Sequence, residues 1–348
     1  MKKTVGNQEF LWPQCDRLSI EVTTRCNSSC SHCFVRARGP CRSSLAPDLV
    51  QTIVREGYEA GYRRLHITGG EPLLWDGLGE MLDYAFAIGY HTVLLNTNGT
   101  LLTAAVSRKL ARYPDLAVSV SLQGPRRRHD CVRGKGSYDR ARKGIDNALE
   151  AGLPVHIFTT IGRSMIPDLP RFAKRVFGTY PGIERLTFIQ LIRVPKDVFD
   201  LSREVLSPDD FLRLVQIVSF LNLYGLKVDF LNNPLAVVAS KVLKMPWIPP
   251  SSPLYRPGSL MITADLGITL AHSTTDHFGI YKPGILQKII NSDDYRCSVS
   301  QDRIICKKCV YSRLCSQGGM LRPSEWYRDM FPQVPYCKRV LAKASSYG

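Results

Sequence analysis

The sequence predicts an α/β protein. Its parallel sheet curves into an open, partial (β/α)6 TIM-like barrel, and a small C-terminal cysteine-rich unit follows. Three observations carry this. Between residues 17 and 225, short β-rich runs alternate with segments of helical apolar spacing. Glycine closes most of the helical segments. After about residue 232 the alternation stops, and Cys297, Cys306, Cys309, Cys315 and Cys337 gather in a region with few apolar runs. Strand–helix alternation demands a parallel sheet with helices outside it. Six such units are too few to close an eight-fold barrel.

The elements follow in order. "RLSIEV" (17–22) alternates as a first strand, and a loop with three cysteines comes next. "SSLAPDLVQTIVREGYEAG" begins with serines, keeps helical spacing and ends at Gly61. "RRLHIT" is a short strand ending in the turn "GGEP", and "GLGEMLDYAFAIG" is a helix closed by Gly89. The strand "HTVLLNTNG" precedes the helix "TAAVSRKLARY"; "LAVSVSLQG" precedes "SYDRARKGIDNALEAG"; "PVHIFTTIG" precedes "DLPRFAKRVFG". "IERLTFIQLI" is the sixth strand and "SPDDFLRLVQIVSFLNLYG" the longest helix. Active groups of such a sheet lie at the C-terminal ends of its strands. The three-cysteine loop, "GGEP", "NTNG" and "SLQG" all fall there. The expected division is a barrel over 1–232 and, over 233–348, a Pro- and Ser-rich linker or lid, a hairpin around Asp265–Leu266–Gly267 and the cysteine unit.

The 348 residues suit two domains or one large domain with an extension. The formal net charge is +16, scattered apart from "RRRH" at 126–129. No basic tract interleaves with aromatics, so a solvated basic surface is expected and nucleic acid is not an expected partner. The most apolar stretch, "FLRLVQIVSFLNLYGLKVDFL", is broken by Arg213, Asn222, Gly225 and Lys227, which argues against a membrane span. No apolar signal core follows Met1, so a cytoplasmic protein is expected. An odd count of 11 cysteines, clustered rather than spread, argues for metal or iron–sulfur ligation over a disulfide framework.

In "CNSSCSHCF", Cys26, Cys30 and Cys33 are spaced to hold three corners of a cubane cluster. No fourth cysteine lies at similar spacing, since Cys41 stands beyond a Gly-Pro. One iron would keep an open site, where chemistry happens. The alternative is zinc, but His32 sits between two of the cysteines and is awkwardly placed as a fourth ligand.

"CNSSCSHCF" followed by "GGEP" resembles the radical S-adenosylmethionine (SAM) superfamily, over residues 17 to about 195. The resemblance implies a [4Fe–4S] cluster on Cys26, Cys30 and Cys33, with SAM chelating the open iron. An electron passed into the sulfonium then releases methionine and a 5′-deoxyadenosyl radical, which takes a hydrogen atom from substrate. It further implies that Phe34 flanks the third cysteine and that Gly69 and Gly70 admit close backbone approach. Glu71 would accept from the SAM ammonium. Asn96, Asn98, Ser121 and Gln123 would meet the sugar and methionyl parts, and Arg133 the SAM carboxylate. Many relatives have Asp at the position of Gln123, which can hydrogen-bond a ribose but brings no charge.

"CKKCVYSRLC" and Cys337 resemble the SPASM domain of radical SAM enzymes. The resemblance implies an auxiliary [4Fe–4S] cluster on Cys306, Cys309, Cys315 and Cys337. The ligands of a second SPASM cluster are absent: "GITLAH" and Gly319 stand where cysteines would be. The domain is therefore expected to be reduced and twitch-like. Cys297 is an alternative fourth ligand, His272 a remote one, and a four-thiolate zinc site the main competitor.

Cys131 follows the fourth strand and is a candidate catalytic thiol that returns a hydrogen atom to a substrate radical; otherwise it is a buried or idle cysteine. Cys15 and Cys41 are expected to be structural, and Trp326, Tyr327 and Phe331 to pack around the auxiliary site. Relatives with such a domain mostly modify peptides or proteins by crosslinking, epimerisation or oxidation. A peptide or protein substrate is therefore expected, with a reductant such as flavodoxin or ferredoxin. The alternatives are radical dehydrogenation or rearrangement of a small molecule or cofactor precursor, and a non-catalytic iron–sulfur maturation factor. RNA modification is encouraged only by charge.

Overall fold

The structure is a computed structural model. It describes residues 15–37, 43–192, 201–245, 247–252, 256–272, 274, 276–299, 309–312, 314–315 and 336–347.

The alternation read from the sequence is what folds. The order is β1 (Cys15–Glu21), α1 (Phe34–Ala37), α2 (Pro47–Glu59), β2 (Arg64–Thr68), α3 (Leu78–Ala87), β3 (Thr92–Thr97), α4 (Ala104–Leu110), β4 (Leu116–Ser121), α5 (Arg126–Arg133), α6 (Ser137–Glu150), β5 (Val155–Ile161), α7 (Leu169–Thr179), β6 (Arg185–Gln190) and α8 (Pro208–Leu223). Then come β7 (Val228–Phe230), α9 (Pro234–Val242), β8 (Gly258–Ile262), β9 (Ile268–Thr269), α10 (Leu286–Asn291), α11 (Asp293–Val299) and α12 (Tyr336–Ser345). Neighbouring strands from β1 to β7 pair in parallel, as an open partial barrel requires. Alternate strand residues face the helices: Leu18 and Ile20, Leu65 and Ile67, Val93 and Leu95, and Val118 and Val120 are all buried.

The sheet is wider than the six strands expected. The order is β7-β6-β5-β4-β3-β2-β1-β8-β9. The apolar stretch 211–231 does not stay helical; Gly225 turns it at a φ of 79°, and Val228–Phe230 pairs with β6. The expected hairpin forms as β8 and β9, and β8 lies parallel to β1. Asp16 takes hydrogen bonds from Arg64, at 2.9 Å, and from the buried Arg256 just ahead of β8. Burial alone would raise the Asp16 carboxyl, but the two guanidiniums hold it below the ordinary value. The stretch read as a linker contains α9, which packs on α8.

The "RRRH" segment, the one local cluster of positive charge, is the start of α5. The Asp130 carboxylate ends that helix by accepting from the backbone N–H groups of Gly136, at 3.0 Å, and Tyr138, at 2.9 Å. No described helix is long and apolar enough to cross a membrane.

Candidate active site

The three-cysteine loop leaves β1 at the C-terminal edge of the sheet and is stitched to three neighbouring turns. The first is "GGEP". Gly70 N donates to Thr23 O at 2.7 Å, and Glu71 N to Arg25 O at 2.8 Å. A Cβ on Gly69 would collide with the Thr23 carbonyl oxygen, and one on Gly70 would lie 2.6 Å from that of Thr24. Both glycines therefore serve a close approach of backbone to backbone, beneath the cysteines.

The second turn is "NTNG". Glu71 is fully buried, and its carboxylate accepts from Thr97 Oγ1 and Asn98 N, each at 2.7 Å, and from Leu73 N at 3.2 Å. Burial pushes the Glu71 carboxyl up, against these three donors and the more distant Arg133. Glu71 thus joins two turns, and any SAM ammonium would have to use its remaining acceptor capacity. Asn98 Nδ2 donates to Asn27 Oδ1 at 2.7 Å and lies 4.0 Å from Cys26 Sγ. Asn27 Nδ2 in turn reaches Thr100 Oγ1 at 2.9 Å. The Asn98 side chain is therefore engaged by the cysteine loop. Asn96 points elsewhere: its Oδ1 accepts from Ser119 Oγ on the next strand.

The third turn is "SLQG". Gln123 is buried and engaged at three points. Its N–H donates to His129 Nδ1 at 3.0 Å, its Oε1 accepts from Thr160 N at 2.8 Å, and its Nε2 lies 3.2 Å from His32 Nε2. The Thr160 N–H fixes which end of the amide is oxygen, so Nε2 is the donor to His32. His32 Nε2 must then be the acceptor, and its proton sits on Nδ1. Burial, helped by Arg133 and Arg128, pushes His32 down to about 3 and keeps it neutral. Gln123 thus ties the cysteine loop to β4 and β5. Ser121 ends β4, half-buried, beside this tie.

Cys26 is exposed, and Cys30 and Cys33 are half-buried. Desolvation pushes the Cys26 thiol up to about 11, with Glu71, Cys30 and Cys33 adding to it. Thiolates this close to one another and to a carboxylate need a cation. Among the described residues no three His, Cys, Asp or Glu side chains converge on one metal-ion position. Three cysteines on one short loop can each offer a thiolate to a separate iron of a cubane. Phe34 begins α1 next to Cys33. Arg133 ends α5, and its Nε is buried without a partner among the described residues. That orphaned donor fits a carboxylate-bearing ligand. The residues present therefore fit the cluster and SAM.

Cys131 is exposed on α5, and with Ser31 and His32 it lines a cavity of about 850 Å³. Of the second cysteine group, Cys306 and the aromatics Trp326, Tyr327 and Phe331 lie outside the described residues, as does Cys41. Cys309 and Cys315 share a short turn, with Ser312 N bonded to Cys309 O and Cys315 N to Tyr311 O. Cys337 is on α12, which packs on α8 and α9, whereas Cys297 is on α11, where Tyr295 donates to Ser259 O of β8. His272 Nδ1 lies 3.1 Å from the fully buried Glu21 carboxylate at the end of β1. Sequence reasoning missed His129 and Thr160 as supports of the site, and took "NTNG" for its asparagines and not for Thr97. Each acts on a partner from another turn or strand, which spacing within its own segment does not mark.

Residues 20–172 match the family model described as the radical SAM superfamily. The chain is 32% identical over 151 residues to Fe-coproporphyrin III synthase of Methanosarcina barkeri, covering 43% of this chain and 38% of that protein. It is 31% identical over 186 residues to mycofactocin maturase MftC of Mycolicibacterium smegmatis, covering 53% and 47%. The matches thus span under half the length of these two relatives. Among solved structures, "Native anSMEcpe with bound AdoMet and Kp18Cys peptide" superposes with a TM-score of 0.73 at 16% identity, over 95% of this chain and 96% of that one. At that identity the likeness is one of fold. The spaced cysteines, the turns that hold them, the open parallel sheet and the matched segment lead to one conclusion: residues 20–172 match a radical SAM domain.

Proposed function

We propose that the chain is an enzyme that reductively cleaves SAM and abstracts a hydrogen atom from a peptide or protein substrate, leading to a crosslink, an epimerised centre or an oxidised side chain. The observation that carries the radical step is the stitching of the three-cysteine loop to "GGEP", "NTNG" and "SLQG" at one edge of the sheet. When bound, the cluster supplies the electron that splits SAM into methionine and a 5′-deoxyadenosyl radical. Cys26, Cys30 and Cys33 would hold it. The "GGEP" backbone, Glu71, Asn98 and Gln123 keep the loop in place, and Arg133 offers its unpartnered Nε to the SAM carboxylate. Gly69, Gly70, Ser121 and Phe34 are proposed to border the SAM site, with Asn96 held at its edge through Ser119. Cys131, exposed on the cavity wall, is the proposed hydrogen-atom donor if the outcome is epimerisation.

Residue 232 is taken as the end of the SAM-cleaving barrel. Cys306, Cys309, Cys315 and Cys337 are proposed to carry an auxiliary [4Fe–4S] cluster in the unit beyond it. Flavodoxin or ferredoxin is the proposed reductant, and the cytoplasm, which keeps thiols reduced, the proposed compartment. The peptide reading draws support from the relative named a mycofactocin maturase and from the peptide named in the solved structure. A second reading, oxidation or rearrangement of a small cofactor precursor, is favoured by the match to Fe-coproporphyrin III synthase.

The test is iron and sulfide per chain after anaerobic reconstitution, together with 5′-deoxyadenosine formation under a strong reductant. About eight irons are expected in the native chain and about four in the Cys26/Cys30/Cys33→Ala variant, which should form no 5′-deoxyadenosine. About four irons falling to none would remove the auxiliary cluster. Zinc in place of iron would sink the radical mechanism. Product masses from peptide and from small-molecule candidates separate the two substrate readings.

A further inference from the structure

The cavity beside the cysteine loop has a charge pattern that the SAM chemistry does not use. It runs from Ser31, His32 and Cys131 to the faces of α6 and α7. Five arginines line it, Arg127, Arg128, Arg142, Arg171 and Arg175, against only Asp168 and Glu204. Two of the five are engaged. Arg128 contacts Glu204 at 3.3 Å, and Arg142 Nε donates to Tyr180 OH at 3.0 Å. The other three are exposed, and the structure gives them no hydrogen bond or ion pair among the described residues.

Arg171 and Arg175 stand four residues apart on α7, so they share one face of that helix. Like charges at this spacing weaken a helix, and nothing described here neutralises them. Leu122, Phe172 and Val176 give the same cavity an apolar lining. Unpaired cations beside apolar lining suit a chain with alternating acidic and apolar side chains. A lone phosphate would instead need cations converging on one point. Guanidinium forks match carboxylates in geometry and can bind them in pairs.

We propose that this groove is the substrate-docking site and that it takes an acidic peptide segment, whose Asp or Glu carboxylates pair with Arg127, Arg171 and Arg175. A residue next to that segment is then delivered to the cysteine loop and Cys131. The inference rests on the peptide reading above and names the class of peptide.

The test is fluorescence anisotropy of the reconstituted full chain with SAM, using a labelled 12-residue peptide rich in Asp and Glu and its Asn/Gln counterpart. The acidic peptide should bind about tenfold tighter or better, and the preference should shrink as NaCl rises. An Arg171→Gln/Arg175→Gln variant, with folding checked by circular dichroism, should lose about tenfold in affinity for the acidic peptide and nothing for the neutral one. Equal binding of the two peptides overturns the acidic groove and leaves the peptide reading standing, as does an unchanged affinity in the variant. Citrate or inorganic phosphate binding as tightly as the acidic peptide, with the same loss in the variant, also overturns it, in favour of a small anion. No binding of either peptide at 1 mM overturns both readings.

Discussion

Gln123 shows how the structure can add a positioning role to a side chain that the sequence marks for another reason. By position it stands where a ribose contact is expected. By geometry its amide spans Thr160 N and His32 Nε2, while its backbone N–H is accepted by His129. An Asp at this position could accept from Thr160 but could not donate to a neutral His32. Glutamine therefore suits a loop whose histidine is kept uncharged. Gln123→Met keeps the length and loses both polar ends, leaving the half-buried Thr160 N–H without its acceptor. Unfolding in urea should show a loss of about 1–3 kcal/mol, and iron should be released faster to a chelator. A variant with native stability and native iron retention would remove Gln123 as the tie that positions this loop.

At the scale of elements, α8 is the one whose start the sequence marks most clearly. Ser207 and Asp210 form a reciprocal cap: Ser207 Oγ accepts from Asp210 N at 3.2 Å, and Asp210 accepts from Ser207 N at 3.0 Å. Asp210 also pairs with Arg163 at 2.9 Å, linking α8 to the loop after β5. Ser207→Ala should lower stability by about 1 kcal/mol, seen as a shifted urea midpoint with 5′-deoxyadenosine formation unchanged. A null shift would mean that Asp210 holds this turn without its serine. The helix α5 was harder to see. Its sequence is dominated by charge, and its end depends on Asp130 reaching forward to Gly136 and Tyr138.

For the whole molecule, buried neutral histidines couple stability to pH. Burial, with Arg17 near one and Arg133 near the other, pushes His66 and His129 down to about 3. Unfolded, each would take a proton near pH 6.5. Their folded pKa lies below the unfolded one, so the native state keeps its full stability above about pH 6.5 and loses it as pH falls toward 3. The slope is about 1.4 kcal/mol per pH unit for each such group. Urea midpoints measured from pH 7 to pH 4.5 should fall, and His129→Gln should make the fall shallower. An unchanged slope in that variant would mean that His129 remains protonated in the folded chain.

What the sequence determined was local. The spacing of Cys26, Cys30 and Cys33, the Gly-Gly-Glu-Pro turn, and the alternation of strand and helix periods depend on residues close in the chain, and each survives in the structure. The hairpin around Asp265–Leu266–Gly267 was legible for the same reason. Tertiary structure decided what depends on distant partners. The sheet gains β7 because a short run after Gly225 meets β6, and it gains β8 because Arg256 and Asp16, far apart in sequence, are buried together. The jobs of Gly70, Asn98 and Gln123 were likewise fixed by neighbours on other turns: each now holds the cysteine loop, at a contact that no residue spacing within a single segment encodes.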